Sequence, residues 1–424
     1  MHNTETAIKA IRQDFPELSQ FMTQLTIFDE PLLTPKPEEK ILERVLKDRP
    51  SDIAYGGDHA SSFNGGNLRN GLAPQDRPKG LAPNVASARP LNVVSLFSGC
   101  GGMDLGFIQA GFRILWANDI DQKACETYAK NLDKHVVCGD IQEIDYSTIP
   151  DADLILGGFP CQDFSMIWKR GGITTERGNL YRNFVNLVSL KEPLMFIAEN
   201  VKGLMTANKG KAIKQIIEDF SLTGRYGYVT KPYLVNFADY GTPQLRKRVL
   251  IIGIRKDINC TFALPKPTHQ WENYVSSGKA LDGVERVKHN NEHQNIKSST
   301  VEKLKLIPPG GNFTDIPKNS PHYVKGMISH VYRRLDPDKP STTIIAAGGG
   351  GTWGYHYSEP RPLTNRERAR LFGYPDDFIF EGTITEVRRQ IGNSVPPVGI
   401  LPFAQAIKPH LEKVKTELWR SLCN

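Results

Sequence analysis

LNVVSLFSGCGGMDLGF, residues 91–107, decides the architecture. Its first seven residues form an apolar run that reads as a buried strand, and the apolar positions after the glycines read as a short helix. Gly99, Gly101 and Gly102 stand between the two. A chain that leaves a strand, curls through glycines and enters a helix can approach a ligand closely, and it offers free N–H groups at the helix start. The spacing is not the usual G-x-G-x-x-G, so the loop taken alone suits an ordinary tight turn equally well.

Downstream of this stretch the same alternation repeats. FRILWAN (112–118) reads as a second strand and DQKACETYAKNL (121–132) as a helix; HVVCGD (135–140) and DLILGG (153–158) read as further strands. A helix around LYRNFVNLVSL (180–190), a strand LMFIAEN (194–200) and a helix GKAIKQIIEDF (210–220) follow, then strands near YVTKPYLVNF (228–237) and RVLIIGI (248–254). Residues 91–255 are therefore expected to form a doubly wound, mostly parallel α/β sheet with helices on both faces, the catalytic and cofactor-binding domain. Residues 256–330 break the pattern with polar, irregular sequence such as KHNNEHQNIKSST (288–300) and are read as a small separate domain or large insertion. Residues 331–424 become helical again around TNRERARLF (364–372) and end in RQIGNSVPPVGILPFAQAI (389–407), a turn into a last helix that returns to the catalytic domain. At the other end, residues 1–50 read as a helical N-terminal extension. Residues 51–90, filled with Gly, Ser, Asn and Pro, read as a flexible linker.

A chain of 424 residues with 39% apolar and 23% charged residues has the composition of an ordinary soluble globular protein. It has no apolar run long enough for a bilayer and no basic, apolar leader, so a cytoplasmic protein is expected. Six scattered cysteines without a CxxC pair argue against a zinc site and give no sign of a disulfide framework. The net charge of +7 permits a polyanionic partner without requiring one.

The candidate site residues sit where strands end, the edge at which open α/β sheets bind ligands. Asp119 in ANDID ends the second strand, where an acid can bond ribose hydroxyls, and Asp140 in CGDI ends the third, placed to accept from an adenine amino group. GGFPCQDFS (157–165) ends the fourth, with Pro160 stiffening the loop that carries Cys161, a candidate nucleophile. Glu199 and Asn200 in FIAENVKGL end the fifth, and an acid there can protonate a ring nitrogen. In PQLRKRVLIIG the two-residue spacing of Arg246 and Arg248 sends both guanidiniums to one side, as donors for a base carbonyl or a phosphate. GNSVPPVG (392–399) offers Asn393 and Ser394 on a proline-set turn.

LFSGCGG, GGFPCQDFS, ENV, QLRKR, RRLDPDKPSTTI and GNSVPPV, in that order, resemble the C5-cytosine DNA methyltransferases, over roughly residues 91–408. The resemblance implies S-adenosylmethionine as methyl donor, with S-adenosylhomocysteine as product, and double-stranded DNA as acceptor. It places Phe97, Ser98, Gly99, Gly101 and Gly102 along the cofactor, Asp119 at the ribose, and Asp140 and Ile141 at the adenine. Ile120 stands where many members carry an aromatic residue against that ring, and Asn393, Ser394 and Val395 close the pocket. Cys161 becomes the nucleophile oriented by Pro160, Glu199 the group at cytosine N3 and the amino group, and Arg248 the donor to the base carbonyl. Arg246 and Gln244 support the site. Residues 256–330 become the target-recognition region. The architecture resembles a bacterial restriction-modification enzyme, working as a monomer beside a cognate endonuclease. An RNA cytosine methyltransferase on the same fold is the nearest alternative. A nucleotide-dependent oxidoreductase leaves Cys161, Glu199 and the arginines without a purpose.

Overall fold

The computed structural model describes residues 90–160, 179–258, 260–323, 325, 330–346 and 354–423. The expected N-terminal extension and all but the last residue of the expected linker lie outside the described residues, as does Cys161.

The chain opens with β1 (Asn92–Leu96), α1 (Gly102–Gln109), β2 (Arg113–Asp119), α2 (Gln122–Asn131), β3 (Val136–Cys138) and β4 (Leu154–Gly157). It continues through α3 (Asn179–Lys191), β5 (Met195–Val201), α4 (Lys211–Ser221), β6 (Tyr228–Asn236) and β7 (Lys247–Arg255). Among the described residues these strands make one seven-stranded sheet in the order β3-β2-β1-β4-β5-β7-β6. β1 to β5 run parallel, while β7 lies antiparallel to both β5 and β6. The mostly parallel, doubly wound expectation holds. The reversal of β7 matters for the site, because it brings the start of that strand to the edge where the parallel strands end.

Successive residues of the central strands feed opposite cores, as a period of two requires. Val93, Leu154 and Leu250 join a cluster with Phe107 of α1 and Phe403 and Ile407 of the last helix. Val94, Ile155 and Ile251 join the other, with Phe184, Phe196 and Phe220. With both faces covered, the central strands are apolar throughout, which is why they read as runs and not as alternation. α2 starts at Asp121, whose carboxylate accepts from the N–H of Lys123 (3.0 Å) and Ala124 (3.3 Å).

Beyond the sheet come α5 (Ser277–Leu281), α6 (Ser298–Lys305), α7 (Asn365–Phe372), α8 (Ile384–Asn393) and α9 (Pro397–Cys423). Thr364 and Glu367 form a capping box on α7, and Thr383 and Glu386 another on α8. Two small clusters carry the irregular region. Leu304, Ile307, Phe313 and Ile316 gather with Val331 and Tyr355, and Leu281 and Val284 with Leu335, Leu363 and Leu371. Both draw on residues from either side of position 330, so the polar segment shares its cores with the returning chain. Among the described residues no helix is long and apolar enough to cross a membrane.

Candidate active site

The ends of β1 to β5 and the start of β7 bring the predicted residues to one edge of the sheet. After β1 the chain turns through Phe97 (φ 53°), Gly99 (φ 55°) and Gly101 (φ 89°), all left-handed. Phe97 holds that conformation despite its side chain, a strained position of the kind that concentrates at ligand sites. The Ser98 N–H donates to Asn118 O (2.9 Å) and the Gly99 N–H to Asp119 Oδ2 (2.7 Å), tying the glycine loop to the end of β2. A Cβ on Gly102 would collide with Ser394 Oγ, Tyr374 Oη and Val395 O, so only glycine lets the loop meet the C-terminal turn.

Asp119 accepts from Gly99 through one carboxylate oxygen and from the Asp121 N–H (2.9 Å) through the other. Each oxygen keeps a lone pair for a further donor. Burial raises its pKa above the ordinary carboxylate value, against the pull of those N–H bonds. Ile120, beside it, is 70% exposed. Asp140 caps the short turn Ile141–Glu143 by accepting from the Gln142 N–H (3.0 Å), and Ile141 is buried beneath.

Three of the expected residues close the far side. Asn393 ends α8, Ser394 is buried just after it, and Val395 is buried against the core. Arg246 holds this turn from below, donating to Gly392 O (3.0 Å), Ser394 O (2.9 Å) and Ile344 O (3.2 Å). Gln244 donates to Leu371 O (3.2 Å) and accepts from the Ile344 N–H (3.0 Å). Both are fully buried. The two arginines therefore differ in partner: Arg246 meets backbone carbonyls inside the protein, and Arg248 meets the Glu199 carboxylate.

Arg248 Nε stands 2.9 Å from Glu199 Oε1. The register of β5 with β7 sets this contact, pairing Val201 with Arg248 and Glu199 with Leu250. Burial raises the pKa of Glu199, with Arg248 and then Arg246 pulling it down. The result is a carboxyl that holds a proton more readily than an exposed one.

The loop from β4 toward Cys161 is built from below. Asn200 Nδ2 donates to Phe159 O (2.9 Å), and the Phe159 ring packs on Tyr181 and Phe184. Neither Gly157 nor Gly158 adopts a left-handed conformation, so backbone freedom is not what glycine supplies here. Gly157 is needed for space instead: a Cβ there would stand 2.6 Å from the Phe184 ring. Pro160 is exposed, the last described residue before Cys161.

Sequence reasoning named Asn200 without a role and passed over two buried groups. Asp104 of α1 accepts from Ser95 Oγ and Tyr128 Oη, both at 2.7 Å, beneath the glycine loop, and burial pushes its carboxyl up to about 6. Tyr374 joins Cys100 to Ser394. An acid inside LFSGCGGMDLGF was a visible signal for the first; nothing local announces the second.

The family model for C-5 cytosine-specific DNA methylases matches residues 91–409. A Type II methyltransferase of Neisseria gonorrhoeae, M.NgoFVII, is 57% identical over 77% of this chain and 88% of its own length. M.BbvI of Brevibacillus brevis, also a Type II methyltransferase, is 43% identical over 74% of this chain and 89% of its own. Among solved structures, one described as a DNA modification methyltransferase encoded within an E. coli prophage superposes with a TM-score of 0.60 at 27% identity. It covers 76% of this chain and 99% of its own. These relatives favour DNA over RNA as the substrate. With its glycine loop, its Pro-Cys segment and its Glu199–Arg248 pair in family order, the chain belongs to the C-5 cytosine-specific DNA methylases.

Proposed function

We propose that the chain moves a methyl group from S-adenosylmethionine to C5 of a cytosine swung out of a short, specific duplex sequence. The observation that carries the reading is the buried Glu199–Arg248 pair at the strand end beside the loop leading into Cys161.

The residues of the cleft fit the cofactor's chemistry. Asp119 has lone pairs left for ribose hydroxyls, exposed Ile120 offers apolar surface to an adenine face, and Asp140 and Ile141 stand at the next strand end. Phe97 to Gly102 line one wall and Asn393 to Val395 the other. When bound, S-adenosylmethionine supplies a methyl group on a sulfonium, an electrophile for carbon.

Cytosine C5 is a weak nucleophile as it stands. The Cys161 thiolate bonds to C6 while Glu199 gives its proton to N3, and the displaced electron pair makes C5 an enamine carbon. C5 then takes the methyl group. A base removes the C5 proton, the C5–C6 double bond re-forms, the sulfur leaves as thiolate and the N3 proton returns to Glu199. Burial around Glu199 suits a group that must hold and release that proton. Arg248 donates to the base carbonyl while holding the carboxylate in place. The sulfur must approach a ring face, so the base leaves the stack at a cost of a few kcal/mol. The Asn200–Phe159 bond anchors the chain just before Pro160 and Cys161.

Residues 256–330 read base edges in the major groove. Relatives named as Type II methyltransferases support a place in a restriction-modification system, with a cognate endonuclease as partner. In this reading the enzyme works in the cytoplasm as a monomer. Bisulfite sequencing of plasmid DNA from cells expressing the chain, beside cells expressing Cys161→Ala, tests the whole reading. Protected cytosines in one short recurrent sequence, absent with the variant, are expected. No protection from a soluble, folded protein would overturn it.

A further inference from the structure

We infer that the Tyr374 hydroxyl is a positioning group that latches the two walls of the cofactor cleft together, joining the glycine loop at Cys100 to the C-terminal turn at Ser394. The inference rests on the reading of that cleft as the cofactor site.

Tyr374 follows Gly373, the left-handed C-cap of α7, and its N–H donates to Ala369 O (3.0 Å). Its ring is fixed by Phe378 and Phe380, with centroids at 4.7 and 5.2 Å. That packing delivers one polar atom to the seam between the two segments: Tyr374 Oη lies 3.3 Å from Cys100 Sγ, 274 residues away in sequence, and in a short hydrogen bond with Ser394 Oγ.

The protons in this chain have an assignable order. Ser394 Oγ donates to Val395 O (3.0 Å), which uses its only hydrogen. Tyr374 must then donate to Ser394, leaving Tyr374 Oη to accept from the Cys100 thiol, whose other acceptor is Gln390 O at 3.8 Å. Burial lifts the phenol well above its ordinary range and the thiol up to about 11, so both stay protonated in neutral solution and the order persists. Arg246 grips the same turn by its backbone, at Gly392 O and Ser394 O. The Tyr374 hydroxyl grips it by its side chain, at the point where Gly102 has no Cβ to interfere. Each wall carries cofactor-site residues, so an unlatched seam lets them drift apart.

Tyr374→Phe removes one oxygen and keeps the ring in place. The expected result by titration calorimetry is a Kd for S-adenosylhomocysteine raised about 3- to 10-fold, the scale of one buried hydrogen bond. The KM for S-adenosylmethionine rises in parallel, while kcat at saturating cofactor changes less than about twofold. Ser394→Ala in a double-mutant cycle reads the same link from its other end, and the double variant should bind no more weakly than the weaker single one. An unchanged Kd in Tyr374→Phe, or losses that add in the double variant, would overturn the latch. Failure of the unaltered chain to bind S-adenosylhomocysteine would instead overturn the cofactor reading, and the latch with it.

Discussion

Replacing Arg248 with alanine strands the Glu199 carboxylate in a nearly dry place. The two groups are 2.9 Å apart, with side chains 13% and 12% exposed. At that distance unit charges attract by about 6 kcal/mol at an effective dielectric of about 20, and by about 1.4 kcal/mol in bulk water. Removing one member of such a pair costs about 3 kcal/mol, mostly the penalty of the charge left behind. For a chain of 424 residues that lowers Tm by about 3 °C at pH 8. The sign with pH follows from Glu199, whose pKa burial already raises above its unfolded value, and which loses its main opposing influence with Arg248. A carboxyl with a raised folded pKa has no penalty below its unfolded pKa and an increasing one as pH rises toward its folded pKa. The Tm gap between Arg248→Ala and the unaltered protein should therefore narrow from pH 8 to pH 5. It should also narrow at pH 8 in the Glu199→Gln background, where no charge is stranded. What remains at every pH is the packing lost with the arginine stem. Differential scanning calorimetry of the four proteins at both pH values checks this. A gap that is equal at pH 5 and pH 8 and indifferent to Glu199→Gln would refute the reasoning.

Cys161→Ser should abolish methyl transfer and the covalent complex with 5-fluorocytosine DNA while retaining binding in a gel shift; turnover equal to the unaltered enzyme would remove Cys161 as nucleophile. Asn200→Ala frees the Phe159 carbonyl at the root of the catalytic loop, and about a tenfold fall in kcat is expected with little change in S-adenosylhomocysteine affinity by calorimetry. Asp104 has its carboxyl pushed up to about 6, so its contribution to stability is present below its unfolded pKa and is lost as pH rises through about 6. Asp104→Asn should accordingly flatten the dependence of Tm on pH between pH 4 and pH 7; an unaltered slope would show that Asp104 is not the titrating group.

The sheet was legible because its central strands are covered on both faces and so spell continuous apolar runs such as LNVVSL and DLILGG. Strand direction was not. RVLIIGI reads the same parallel or antiparallel, and only pairing with β5 and β6 decides it. At the candidate site, Asp119 and Glu199 were singled out because they lie at the ends of recognisable strands, and Arg248 because it opens one. A spacing of two fixes which side of a strand Arg246 and Arg248 face, not what each meets there: backbone carbonyls for Arg246, the Glu199 carboxylate for Arg248. Tyr374 and Asp104 act through contacts to partners that sequence distance conceals, 274 and 24 residues away. Their chemistry depends on burial, which no single stretch of sequence displays.

The return of the chain to finish its own cleft has a consequence for the protein's birth. Lys408 of α9 reaches Ala110 O across 298 residues, and the turn at Ser394 meets a loop laid down at residues 97–102. Contacts of such long sequence span form late in folding, because the intervening loop must close before they reward it. A ribosome that has released only the sheet has made a scaffold with one wall of its pocket missing. The segment that closes the cleft at Ser394 runs straight into Ile400, Phe403 and Ile407, which cover one face of the sheet, so a chain broken off before residue 390 loses that wall and part of its core together.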